Sequence, residues 1–261
     1  MLPGVFTAFK KDNTKYYRAC VTYRGKHISL GSFDNETNAS DAYIISKKIL
    51  DDSNINIDDY EQCSLSFEKW VSLINFRDNG IYSRAPIYMK DTYFIYYLTQ
   101  NTHLIFDTDD LFYYSSHKIS QRGGHLYVTE YGMQVNILSR YGIKNYGVEG
   151  RDYEFINGIR GDFRYCNIRI INKYHGVLCE KKKNKTMYVA KIHIHGDYII
   201  GRYHTDYEAA IAYNKAVDIL KENGVKKSFP TNYIVELDAI KYSSIYNKTR
   251  INNSIREYRP Q

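Results

Sequence analysis

The chain is poor in residues that staple or break a fold: its 261 residues hold four cysteines, four prolines and a single tryptophan. Cys20, Cys63, Cys166 and Cys179 stand far apart with no CxxC pair. That spacing argues against a zinc site and a disulfide framework, and fits an intracellular, reducing compartment (cytoplasm, nucleoid or nucleus). No stretch reaches the roughly 18 apolar residues that a membrane helix needs, and the opening MLPGVFTAFKKDNTKYY lacks the apolar run of a signal peptide, so no membrane partner is expected. Apolar residues are not scarce in total: at 43% they suffice for packed cores and exclude a disordered chain.

Tyrosine is abundant at 28 residues, alongside much Asn, Ile and Lys. Codon bias in an AT-rich genome, such as that of a virus or phage, produces the same excess, so it carries little weight for base stacking. The formal charge of +7 points to an acidic partner, with nucleic acid first. That charge is unevenly placed. Residues 1–50 carry eight Lys/Arg against four Asp/Glu, and residues 174–261 carry fifteen against nine. Residues 51–173 carry thirteen against sixteen. Positive charge gathered at the two ends is what a phosphate-binding surface requires.

Those two ends repeat one another. GVFTAFKKDNTKYYRACVTYRGKHISLGSFDNETNASDAYIISKKIL aligns with GVLCEKKKNKTMYVAKIHIHGDYIIGRYHTDYEAAIAYNKAVDIL. Gly4 matches Gly176, Ala19 matches Ala190, Gly31 matches Gly201 and Tyr43 matches Tyr213. Each copy has the pattern of three short strands and one helix. In YVAKIHIH, Tyr188, Ala190, Ile192 and Ile194 fall on one face and Val189, Lys191, His193 and His195 on the other. Thr205 and Glu208 have capping-box spacing, and Ala209, Ala212, Tyr213, Ala216 and Leu220 recur at helical spacing. In the first copy Tyr17, Ala19, Val21 and Tyr23 point inward, and Arg18, Cys20, Thr22 and Arg24 outward. The expectation is a small sheet covered by a helix on one face and bare, polar and basic on the other, in both copies.

Both copies resemble AP2 domains, the three-strand-plus-helix DNA-binding module. The second matches through Gly176, Val177, Tyr188, Ala190, Ile192, Gly196, Gly201, Tyr203, Ala209, Ala210, Ala212 and Tyr213, and FPTNY resembles the module's usual NFP ending. The first matches through Gly4, Val5, Tyr17, Ala19, Val21, Gly25, Leu30, Gly31, Phe33, Ala39, Ala42 and Tyr43. The resemblance implies a sheet laid in the major groove, where each base pair shows its own donor and acceptor pattern. Carried over by position, the contacts are Arg18, Thr22, Arg24 and Lys26, with Lys10 and Lys11 on the strand before. In the second copy they are Lys191, His193 and His195, with Lys181, Lys182, Lys183 and Lys185 before them and His175 ahead of the Gly-Val pair. The arginine and tryptophan contacts of the plant modules are mostly missing.

Between the copies, YEFINGIRGDFRYCNIRIIN resembles the core of an HNH homing endonuclease, through Gly158, Asp162, Arg164, Asn167 and Arg169 at that family's spacing. Such a site needs a histidine to deprotonate water and an acidic neighbour to hold a divalent metal. Phe155 stands at the histidine position, Glu154 at the acidic one and Val135 at the upstream histidine. The chain also runs into the second repeat where the family's metal-site helix belongs. The expectation is a degenerate nuclease without catalytic residues, in which Glu154, Phe155 and Asn167 mark the lost site.

The resulting organisation is α+β: an AP2-like domain at 1–52, a linker at 53–62, a strand-rich pseudo-nuclease domain at 63–172, a second AP2-like domain at 173–236 and a basic tail at 237–261. The expected function is non-cleaving binding of double-stranded DNA, for transcriptional control, site blocking or genome organisation, with no cofactor. Two modules on one duplex would gain avidity. The competing expectations are a Mg²⁺-dependent nickase using Glu154, Asp162 and Asn167, and a protein-interaction module acting through the middle domain or the tail.

Overall fold

A computed structural model describes residues 2–182 and 185–260. Lys183 lies outside the described residues. The architecture is mixed α and β, with several small antiparallel sheets of two or three strands. The chain divides into two compact units, Met1–Val135 with Ile159–Asn167, and Asn136–Gly158 with Ile168–Gln261.

Unit 1 opens with β1 (Val5–Phe9), β2 (Lys15–Tyr23) and β3 (Lys26–Phe33), which form one sheet in that order, followed by α1 (Glu36–Asp51). The Asn35 side chain caps α1 by accepting from the Asn38 N–H. Ala39 and Ala42 are fully buried among Ala19, Val21, Ile28 and Leu30, so the helix lies close on the sheet. The core does not stop there. Ile57, Leu65, Trp70, Leu73 and Ile74 join it, the last three from α2 (Phe67–Asn79).

Residues 53–62, expected to be a linker, are therefore folded. The Trp70 indole donates to the Asn56 carbonyl at 3.1 Å. The buried Arg77 guanidinium donates to the carbonyls of Ile49, Asp52 and Ile55 at 2.6–2.9 Å. A cation at the open carbonyls of a helix end is favourable, and here it ties α2 to the end of α1. Polar composition suggested a free linker, but the two isoleucines within it and the helix beyond make it a packed strap.

The rest of unit 1 is built on aromatic packing. β4 (Ile87–Met89), β5 (Tyr93–Thr99) and β6 (Thr102–Asp107) form a second sheet, followed by α3 (Leu111–Ser116). β7 (Ile119–Arg122), β8 (His125–Glu130) and β9 (Met133–Asn136) form a third. Phe106 stacks on Phe94 (5.5 Å) and Phe163 (5.6 Å) and meets Tyr114 at 4.2 Å.

Unit 2 contains the pair β10 (Tyr153–Phe155) and β11 (Ile168–Ile170), then the sheet of β12 (Val177–Lys182), β13 (Lys185–His193) and β14 (Asp197–Tyr203). It closes with α4 (Asp206–Glu222), α5 (Ala239–Lys248) and α6 (Asn253–Arg256). Buried Asp152 ties the segment before β10 together. It pairs with Lys144 at 2.8 Å and Arg151 at 2.7 Å, and its backbone carbonyl accepts from Ile171 and Asn172. Burial pushes its carboxyl upward, but the bonds from Arg151, Lys144 and the Val148 N–H outweigh burial and hold it below its ordinary value.

The two repeats agree down to register. Val5, Ala19 and Gly31 lie abreast in one sheet, as Val177, Ala190 and Gly201 do in the other. The register slips at the next residue of the middle strand in both. The Gly4 carbonyl accepts from the Cys20 N–H, and the Gly176 carbonyl from the Lys191 N–H. Both glycines have φ +69°, and a Cβ on either would stand 2.1–2.2 Å from the ring of Tyr43 or Tyr213. The matched glycines and tyrosines are thus one device: the ring lies flat on a backbone that must be bare. The capping box of Thr205 and Glu208 forms, and the alanine stripe of α4 is fully buried.

The tail expected at 237–261 is folded as well. Ile251 and Ile255 are buried in the core under α4. The Lys215 ammonium donates to the carbonyls of Tyr246 and Thr249 at 2.7 and 2.9 Å. The Asn252 N–H donates to the Ile200 carbonyl on β14. No helix among the described residues is long and apolar enough to cross a membrane.

Candidate nucleic-acid interface

The face of the first sheet opposite α1 follows from the register. Phe6, Arg18 and Ser32 lie abreast, then Cys20 with Ser29, then Thr22 with His27. Arg18 and Phe6 are exposed, and the Thr22 hydroxyl meets His27 Nδ1 at 3.3 Å. Among the described residues no carboxylate stands on this face. It combines a guanidinium, hydroxyls, an imidazole and an aromatic ring, all able to meet base edges or phosphates.

The other expected contacts of the first copy sit elsewhere. Arg24 is in the β2–β3 turn at φ +46°, with its guanidinium against the Tyr23 ring and 3.5 Å from the Phe76 carbonyl. It serves the end of α2, because the strand alternation that aimed it outward ends one residue earlier. Lys10 and Lys11 follow β1 in its exposed turn, where Asn13 at φ +60° reverses the chain. Lys26 begins β3, its ammonium 5.1 Å from the centre of the Tyr82 ring. Alternation in KHIS could have supplied His27 and Ser29; Phe6 carried no polar signal.

The second sheet departs from the expectation of a bare basic face. Val189, placed outward by alternation, is fully buried and stands between Leu178 and Arg202 in register. Arg202 pairs with Glu180 at 3.8 Å, and His193 with Asp197 at 2.8 Å. Lys191 is half-buried. Apolar and acidic neighbours thus interrupt the basic residues. His195 lies in the turn after β13, which ends at His193, and Lys227 holds that turn by donating to the His193 carbonyl. Lys181 and Lys182 end β12 and Lys185 begins β13, with Lys182 opposite Lys185.

His175 is half-buried, and Asn232 brackets its backbone by accepting from its N–H at 2.7 Å and donating to its carbonyl at 3.0 Å. Burial, then the nearby Lys144 charge, lowers its pKa below 6.5. The two Asn232 bonds fix the backbone of His175 just ahead of β12.

In the segment 153–172, Glu154 lies opposite Arg169 on β10 and β11 and forms an ion pair with it. Phe155 is buried and packs edge-on to Tyr153. Asp162 is fully buried and held by both arms of Arg164 at 2.6 and 2.8 Å, a bidentate grip that raises the arginine's pKa further. Asn167 donates to the Asp162 carbonyl at 2.9 Å. Gly158, at φ +73°, turns the chain at the end of β10, with its N–H on the Phe155 carbonyl. These positions share loop scaffolding and ion pairs.

No family model, curated protein or solved structure matches the chain.

Proposed function

We propose that the protein binds double-stranded DNA without cutting it, through the open face of β1–β3 placed in the major groove. We read its two repeats as AP2-like modules and the segment around Glu154 and Asp162 as the remnant of an HNH-type nuclease. The observation that carries this reading is the carboxylate-free face bearing Arg18, Thr22, His27 and Ser29 opposite the helix-covered side. That groove admits a two-stranded ribbon, and β2 and β3 carry these four residues. Arginine counter-ions on Glu154 and Asp162 favour holding over cutting, since a divalent cation would have to displace them.

A mobility shift with random-sequence duplexes across a salt series tests the reading. Retarded complexes should form at low salt and weaken linearly on a log–log plot. Supercoiled plasmid incubated with Mg²⁺ should remain supercoiled. No complex with any duplex at low salt overturns the reading.

A further inference from the structure

Unit 1 contains a cleft of about 800 Å³ along the outer edge of β3, closed on its other side by Lys69 of α2, the segment around Tyr82 and Arg84, and Ser115. Among the described residues three cations line it, Lys26, Lys69 and Arg84, and no carboxylate does. Lys26 and Lys69 crowd one ring: their ammonium nitrogens lie 5.1 and 5.4 Å from the centre of Tyr82, and Lys69 also donates to the Tyr82 hydroxyl at 2.8 Å. The ring's negative face eases the approach of Lys26 and the hydroxyl oxygen that of Lys69, but neither neutralises a charge.

Like charges held close in a recess raise the potential there until a counter-ion enters. β3 is also the last strand of its sheet, so its outer backbone groups face the cleft as hydrogen-bonding partners. His27 and Ser29 line the cleft and stand on the open sheet face as well, so the recess continues that face sideways.

The geometry points to a phosphodiester-backbone seat: Lys26, Lys69 and Arg84 hold consecutive phosphates of one DNA strand while the sheet face enters the groove beside it. This rests on the duplex-binding reading above. The contact is independent of sequence, because ammonium and guanidinium groups on phosphates position a duplex without reading it. The cations are brought together from β3, α2 and a loop, far apart in sequence, which is why no charge run announces them.

The test is the salt dependence of duplex binding by the full chain with Lys26→Gln, Lys69→Gln and Arg84→Gln combined. Each lost phosphate contact removes about 0.9 from the log–log salt slope, so the slope should become shallower by roughly 2–3. Affinity for two unrelated duplexes should fall by the same factor. The pair Lys26→Gln with Arg84→Gln, both exposed, should flatten the slope by about 2 and covers the case in which loss of Lys69 unsettles the fold. An unchanged slope in the pair overturns the seat while leaving the sheet-face reading in place; absence of binding by the unaltered protein overturns both. A thermal shift with inorganic tripolyphosphate forms the second arm. If the pair abolishes that shift but leaves duplex binding untouched, the cleft serves a free polyphosphate and the proposal fails.

Discussion

At the scale of single residues, the most constrained positions are the two glycines that open the repeats. Gly4→Ala and Gly176→Ala each drive a methyl group into a tyrosine ring and strain a left-handed backbone. Overpacking costs about 1–3 kcal/mol and the left-handed conformation about 1–2, so each variant should lose on the order of 3 kcal/mol in denaturant titrations. Gly25→Ala is the matched control. Its φ is +74° but nothing lies within 4 Å of the added carbon, so only the backbone cost of about 1 kcal/mol should appear. His175 sets a pH dependence of definite sign. The unfolded imidazole takes up its proton near pH 6.5 and the folded one at lower pH. Stability contributed by the neutral form is therefore present above pH 6.5 and lost as pH falls through the depressed folded value. The unfolding midpoint should be lower at pH 5.5 than at pH 7.5 in the unaltered protein, and the gap should narrow in His175→Gln. The matched glycines were legible in the sequence as identities, but their reason needed the ring of Tyr43 or Tyr213 above them. Arg24 was misplaced because one residue of positive φ ends an alternation that composition alone would extend.

At the scale of elements, the segments written off as linker and tail do structural work. Arg77 holds the end of α1 through three carbonyls, and its loss leaves them buried with no cation. Arg77→Met should therefore cost about 3 kcal/mol, read as a shift in the urea midpoint. In unit 2, Ile255→Ala removes a fully buried side chain and should cost roughly 2–5 kcal/mol. A basic arm free to swing would lose nothing by the same change. Strands and helices of the repeats were legible because their periods are clean: alternation in β13 and the capping box with its alanine stripe in α4. The helices α2 and α5 were not, because α2 buries Ser72, Asn75 and Arg77 beside its apolar residues, α5 buries no residue fully, and neither lies within a repeat. The outward position of Val189 was right in parity. What failed was the inference that the outward side is open, since alternation names a face without saying what covers it.

At the scale of the whole molecule, the net charge of +7 hides an asymmetry between two modules of the same design. The first sheet offers Arg18 and Thr22 on a face without acidic residues. In the second, Glu180 engages Arg202, Asp197 engages His193, and buried Val189 interrupts the face. A larger number of basic residues therefore does not imply stronger binding, because a cation already paired releases few counter-ions when phosphate replaces its partner. Arg18→Ala combined with Thr22→Ala should weaken duplex binding about ten- to a hundred-fold, the equivalent of one or two good groove contacts. Lys191→Ala combined with His193→Ala should weaken it by less than about threefold, because Lys191 is half-buried and the His193 ring is already engaged by Asp197. The converse change sharpens the argument. Glu180→Gln with Asp197→Asn frees Arg202 and His193, and should strengthen binding and steepen its salt dependence in a mobility-shift titration. Equal losses from the two alanine pairs, or no gain from releasing Arg202 and His193, would mean that both modules grip DNA alike and that the acidic partners on β12 and β14 yield to it without cost.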